Sequence, residues 1–186
     1  MGRKAEPVDA DSVLATFEAE AMPHADRLFR LALWLERDRA EAENLVRETM
    51  MQGLQSSFHR YRPGTNCRAW LTTILQHVRS NRRRARGRSP IVEDPDDRIG
   101  QTAAFQPPVP QHLTDEEILA ALSRIPAPLQ EVILLSDVEE LTYREIAEAL
   151  MIPMGTVMSR LHQGRALLRA DLCAVSAPAD RQRVGA

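Results

Sequence analysis

Apolar positions recur at helical spacing through most of this chain. Ala25, Leu28, Phe29, Ala32 and Leu35 fall on one face of a first helix. Asp38, with Glu41 three residues on, reads as a helix start, and Leu45, Val46, Thr49, Met50 and Leu54 form the stripe behind it. Turn chemistry follows at Arg62, Pro63, Gly64 and Thr65, and Asn66 can cap the next helix. There Cys67, Trp70, Leu71, Ile74, Leu75 and Val78 share a face. The pattern stops between residues 89 and 111. Five prolines (Pro90, Pro95, Pro107, Pro108 and Pro110) and the acids Glu93, Asp94, Asp96 and Asp97 make that stretch a flexible, acidic, Pro-rich linker unable to pack a core. Helical spacing resumes at Thr114, with Glu117 in the capping-box position and Ile118, Leu122 and Ile125 pointing one way. Pro126 stops that helix, and Leu129, Val132 and Ile133 begin another. The expectation is an all-α chain of two small helical domains, 12–88 and 112–172, joined by the linker 89–111 and followed by a tail, 173–186.

The stretch TYREIAEALMIPMGTVMSRLHQGRALLR, from Thr142 to Arg169, predicts two helices broken at Met151, Ile152 and Pro153. Thr142 and Glu145 form a capping box, Ile146 and Leu150 face inward, and Ala147 is small where a second helix must cross. Pro153 suits the first turn of the next helix, where its missing N–H is not needed. This is the grammar of a helix-turn-helix. Winding the second helix at ~100° per residue puts Val157, Leu161, Gly164 and Leu168 on the inner arc. Ser159, His162, Gln163 and Ala166 fall on the opposite arc, with Met158 and Arg169 beside them and Arg160 and Arg165 flanking the inner stripe. Hydroxyl, imidazole and amide groups on an exposed helix suit base-edge reading, and flanking arginines supply attraction to phosphate. A plain amphipathic helix with a solvated face is the competing reading; the caps, Ala147 and the turn weigh against it. Gly164 gives up ~1 kcal/mol of helix propensity.

Composition fits this picture. Of 186 residues, 44% are apolar but only 4% aromatic, which favours helical bundles over a β-sandwich. The formal net charge of −2 hides an uneven distribution. Nine arginines and no acid lie between Arg60 and Arg88, a stripe able to hold phosphate, whereas seven acids and one arginine lie between Glu93 and Glu117. Cys67 and Cys173 stand far apart without a CxxC, so neither a disulfide framework nor a zinc module is indicated, and reduced thiols in the cytoplasm are expected. The N-terminal residues lack the apolar run of a signal peptide, and no stretch approaches the ~18 apolar residues that insertion in a membrane requires.

The stretch YREIAEALMIPMGTVMSRLHQGRALLR resembles region 4 of bacterial extracytoplasmic-function (ECF) sigma factors of the sigma-70 family. AENLVRETMMQGLQSSFHRYRPGTNCRAWLTTILQHVRSNRRR resembles their region 2. The two occur in the family's order with a linker between them, over residues 24 to 172. PGTNCRAWL and GTVMSRLH are similar to the subgroup that answers oxidative or thiol stress under a zinc-containing anti-sigma protein. The resemblance implies a factor that joins core RNA polymerase and directs it to promoter DNA, with an anti-sigma factor as partner. It places polymerase docking, on the clamp of the largest subunits, at Glu43, Asn44, Val46, Arg47 and Glu48. It places reading and opening of the −10 element at Thr65, Asn66, His77, Asn81, Arg82 and Arg83, where arginines hold the strand and a loop pocket takes an unstacked base. Tyr61 is the exposed aromatic expected to join them, while Trp70, on the Leu71/Ile74/Leu75 face, is expected in the core. Reading of the −35 element falls to Thr156, Met158, Ser159, Arg160, His162, Gln163 and Arg165. The acidic linker either imitates nucleic acid in the polymerase cleft or is a simple tether.

Three positions depart from the family pattern. Met151 stands where glycine is common, so a turn of different shape is expected there. Gln163 replaces a frequent basic residue, removing one phosphate contact and about one unit of salt slope. Asn44 replaces a usual acid in the docking segment. Two other function classes compete. A free-standing helix-turn-helix regulator would use Tyr143 to Arg169 and leave the stretch from Pro63 to Arg84 without a task. An enzyme or metal-dependent sensor would use His59, Cys67, His77 or Cys173. The chain has no HExxH, no phosphate loop, no Ser–His arrangement and no convincing carboxylate pair. Cys67 on an apolar face reads as core, and no cofactor or metal is expected.

Overall fold

The computed structural model describes residues 10–57, 61, 65–87 and 113–176. They form eight α-helices: α1 (Ala10–Ala21), α2 (Ala25–Glu36), α3 (Arg39–Gln52), α4 (Cys67–Ala85), α5 (Asp115–Arg124), α6 (Ala127–Ile133), α7 (Tyr143–Leu150) and α8 (Met154–Ser176). A 3₁₀ turn, Met22–His24, joins α1 to α2. Single π-helical turns extend α3 (Gly53–Ser57) and α6 (Leu134–Val138). No strand occurs among the described residues. The linker, His59 and Gly64 lie outside them. The chain divides into two compact units, one built on α1–α4 and one on α5–α8.

In the first unit the expected start signals operate. The Asp38 carboxylate accepts the Glu41 amide at 2.8 Å, and the Asn66 side chain accepts the Ala69 amide at 3.1 Å, satisfying N–H groups that α3 and α4 would otherwise leave open. The anticipated stripes close into one core of Leu28, Ala32, Leu45, Cys67, Leu71, Ile74, Leu75 and Val78, with α3 packed on both α2 and α4. Each large side chain taken from water contributes roughly 1.5–3 kcal/mol. Helix α1 was not anticipated: it is rich in alanine, and its Phe17 and Ala21 are buried in this core. Arg37 ends α2 with a left-handed backbone, φ 58°, and its guanidinium lies 4.3 Å from the Trp34 ring centroid.

In the second unit, Thr114 and Glu117 form the full capping box expected of α5. Gln130 is buried, and its amide nitrogen donates to the carbonyls of Leu122 at 2.6 Å and Ile125 at 2.9 Å, fixing the end of α5 against α6. Helix α8 packs against both α5 and α6, and Arg124 Nε reaches Asp171 at 2.8 Å. Val157, Leu161 and Gly164 are buried, as the winding required. A Cβ on Gly164 would stand 2.8 Å from Ile133 Cδ1 and 3.3 Å from Leu129 Cβ. The glycine is there because α6 and α8 cross at that point with no room for a side chain.

Candidate nucleic-acid and polymerase interfaces

The helix-turn-helix is assembled by local hydrogen bonds. The Thr142 amide donates to Glu145 Oε2 at 2.7 Å, and the Glu145 amide returns to Thr142 Oγ1 at 3.3 Å. The Ile152 amide closes the turn on the Ala147 carbonyl at 3.1 Å. Ile146 is buried as expected; Ala149 is buried rather than Ala147, which is half-exposed. The turn is not reshaped around Met151. That residue adopts the left-handed conformation itself, φ 55°, and accepts the strain that glycine would avoid.

On α8, Met158, His162, Gln163, Arg165 and Ala166 are exposed, and Thr156, Ser159, Arg160 and Arg169 are half-buried. One polar face therefore carries most of the residues expected to read a duplex. Ser159 donates to the Thr156 carbonyl at 3.1 Å, which leaves its oxygen able to accept. Arg165 does not stand alone. It is paired with Asp137, at 3.2 Å from Nε, and with Ser136 at 3.3 Å. The Asp137 bond is the main cause that holds its guanidinium above the ordinary arginine range.

The −10 candidates divide. Thr65 and Asn66 are exposed at the start of α4. Tyr61 is not exposed: only 7% of it is accessible, and its ring lies 4.9 Å from that of Trp70. Its hydroxyl donates to Glu20 and to the Thr65 carbonyl. Burial first, then the bond to Glu20, raises its pKa above the usual value. A polar group with two acceptors in reach can be buried without penalty, which the sequence around Tyr61 did not reveal. Trp70 is half-buried and packed against the core, so it is the less buried of the two rings. Cys67 is core, as expected.

Along α4, winding places His77, Asn81 and Arg84 on one face. His77 is half-buried, with a buried Nε2 that makes no hydrogen bond. Asn81 accepts from Arg84 at 3.0 Å. Arg84 was not among the candidates, although the 77–81–84 spacing signals it. Arg83 is exposed on another face. Arg82 turns toward α3: its Nε donates to Glu48 at 2.7 Å and its Nη2 to the Asn44 carbonyl at 3.0 Å. Arg86 reaches Glu41 at 3.0 Å, and Arg79 reaches Glu36 at 2.9 Å. Part of the basic stripe thus ties α4 to its own unit.

Of the docking candidates, Glu43, Arg47 and Glu48 are exposed and Asn44 and Val46 half-buried. Glu43 pairs with Arg39 at 2.9 Å, and Asn44 accepts from Arg47. Asn44, Arg47, Glu48, Met51, Gln55 and Arg82 line a shallow groove along α3. Among the described residues no group of His, Cys, Asp or Glu is placed to hold a metal, and no helix is long and apolar enough to cross a membrane.

Residues 21–89 match sigma-70 region 2, and residues 115–168 match sigma-70, region 4. The chain is 34% identical over 180 residues to the ECF RNA polymerase sigma factor SigE of Mycolicibacterium smegmatis, spanning 88% of this chain and 69% of that protein. It is 34% identical over 146 residues to the ECF RNA polymerase sigma factor EcfG of Rhodopseudomonas palustris, 78% of each. Among solved structures it is similar to the sigma factor RpoE of Bartonella quintana, crystallised with the anti-sigma factor NepR. The TM-score there is 0.61 and the identity 28%, over 84% of this chain and 96% of that one. With both regions present in this order, and relatives at one-third identity along most of its length, this chain belongs to the ECF RNA polymerase sigma factors of the sigma-70 family.

Proposed function

We propose that the chain joins core RNA polymerase through α3, reads and opens the −10 element with the start and one face of α4, and reads the −35 element with α8. It performs no catalysis itself. The observation that supports this reading is the presence in one chain of two exposed helices of different character. One is an arginine-rich helix with an exposed cap loop, suited to an unpaired strand. The other is a polar helix face suited to a duplex. A free-standing regulator would need only the second.

Run-off transcription on a promoter library, with core polymerase and with or without this protein, tests the reading. Added protein is expected to create new, sequence-defined start sites. Tight binding to promoter duplex in the absence of polymerase, with start sites unchanged, would favour the regulator instead.

We propose further that an anti-sigma protein restrains the factor, covering the docking face and the −35 face together. The support is the similarity to a sigma factor solved with its anti-sigma partner. Co-purification of a small partner that blocks run-off transcription is expected; full activity at full expression with no binder would count against it. Within the family, PGTNCRAWL and GTVMSRLH favour the subgroup answering oxidative or thiol stress. Target transcripts should then rise on thiol oxidation in cells, and a zinc-free partner deaf to thiol oxidants would place the factor elsewhere.

A further inference from the structure

Helix α8 opens with two large thioethers in water. Met154 is 53% exposed and Met158 is 50% exposed. At i and i+4 they lie on one side of the helix, one above the other, and His162 continues the row one turn later. Met22, Met51 and Met151 are equally exposed, so what singles out this pair is its place in the first turns of the second helix of the helix-turn-helix. Its surroundings narrow the partner. From Met151 to Ala170 the chain carries no acid, and winding puts Arg165, which is paired with Asp137, and Arg169 on the same side of the helix as the two methionines. An apolar row with arginine further along the same side fits a surface that displays apolar spots between anionic groups. The major groove of DNA is such a surface, since each thymine presents a C5-methyl group between flanking phosphates. In helix-turn-helix docking, the N-terminal turns of the second helix lie nearest the base edges.

We infer that Met158, supported by Met154, reads thymine methyl groups in the −35 element and so sets part of its sequence preference. The inference rests on the sigma-factor reading of α8. Met158 supplies shape and apolar contact where a hydrogen-bonding side chain would demand a particular donor or acceptor. It discriminates A·T from G·C pairs through the methyl group alone. Met154, one turn nearer the helix start, covers the adjacent base step.

The test uses holoenzyme made from core polymerase and the full chain. Its preferred promoter fragments carry deoxyuridine in place of thymidine at each −35 position in turn, on either strand. Uracil pairs as thymine does and lacks only the methyl. Wild-type holoenzyme should lose affinity roughly fourfold at one or two positions, the weight of one buried methyl. Met158→Ala should bind the unmodified fragment more weakly by a similar factor and be insensitive to uracil at the same position. Met158→Leu should keep the sensitivity. Met158 is exposed, so neither variant threatens the fold. A flat uracil scan with promoter binding intact, a −35 element without an A·T pair, or full uracil sensitivity in Met158→Ala would each overturn the inference. So would a Met158→Ala variant that binds promoter normally and loses only a protein partner. Failure of wild-type holoenzyme to recognise any promoter would instead bring down the sigma-factor reading beneath it.

Discussion

At the scale of single residues, two positions trade stability for geometry. Met151 holds a left-handed backbone that glycine adopts freely. Met151→Gly should therefore raise the stability of the second unit by about 1 kcal/mol, read from urea unfolding of the full chain. Gly164 is the reverse case. Propensity alone would recommend a larger residue, but Ile133 and Leu129 occupy the space. Gly164→Val should destabilise the unit by about 2 kcal/mol or more and weaken promoter binding with it. A third residue-scale effect is alkaline. Burial, then the bond to Glu20, lifts the Tyr61 phenol above 10.0, and burial lifts the Cys67 thiol above 9.0. Both groups keep their protons longer in the folded state, so the unfolded chain releases them first. Their contribution is complete below about pH 9 and is lost as pH climbs through the raised folded values. Thermal unfolding across that range should show the fall, and Tyr61→Phe should flatten its upper part.

At the scale of elements, the helix starts at Asp38, Asn66, Thr114 and Thr142 were legible because their signals are local, whereas α1 and the run of α8 to Ser176 were not. The pairs Asp38–Glu41, Asn66–Ala69, Thr114–Glu117 and Thr142–Glu145 each close within one turn and need no tertiary information. What could not be read was set by distant partners. The burial of Tyr61 depends on Glu20, 41 residues away on helix α1, whose pairing with the loop before α4 no local pattern announces. The direction of Arg82 depends on Glu48 and the Asn44 carbonyl. A run of arginines reads as one phosphate-binding stripe; folding assigns its members to different faces and different work. Arg82→Ala should therefore cost region 2 about 1–2 kcal/mol in unfolding experiments, through lost charge-assisted bonds. Arg83→Gln, on an exposed residue, should leave stability unchanged. It should instead lower the salt dependence of open-complex formation by about 0.7 units on a logarithmic plot.

At the scale of the whole molecule, the proposed function gives the chain two modest nucleic-acid surfaces, one per unit. Each is weak alone, since few arginines on either are available for phosphate. Polymerase that holds both on one promoter converts the second contact into an intramolecular one. Affinity for promoter fragments should then rise on the order of 100-fold or more when core enzyme is added, and a band shift at physiological salt checks it. The ion pair between Glu48 and Arg82 gives that coupling a concrete form within the first unit. The same carboxylate lies on the candidate polymerase surface and neutralises an arginine at the foot of the candidate strand-opening helix. On the docking proposal, an enzyme surface that takes Glu48 as its own counter-charge would loosen Arg82, which would still keep Glu41 at 3.9 Å and the Asn44 carbonyl at 3.0 Å.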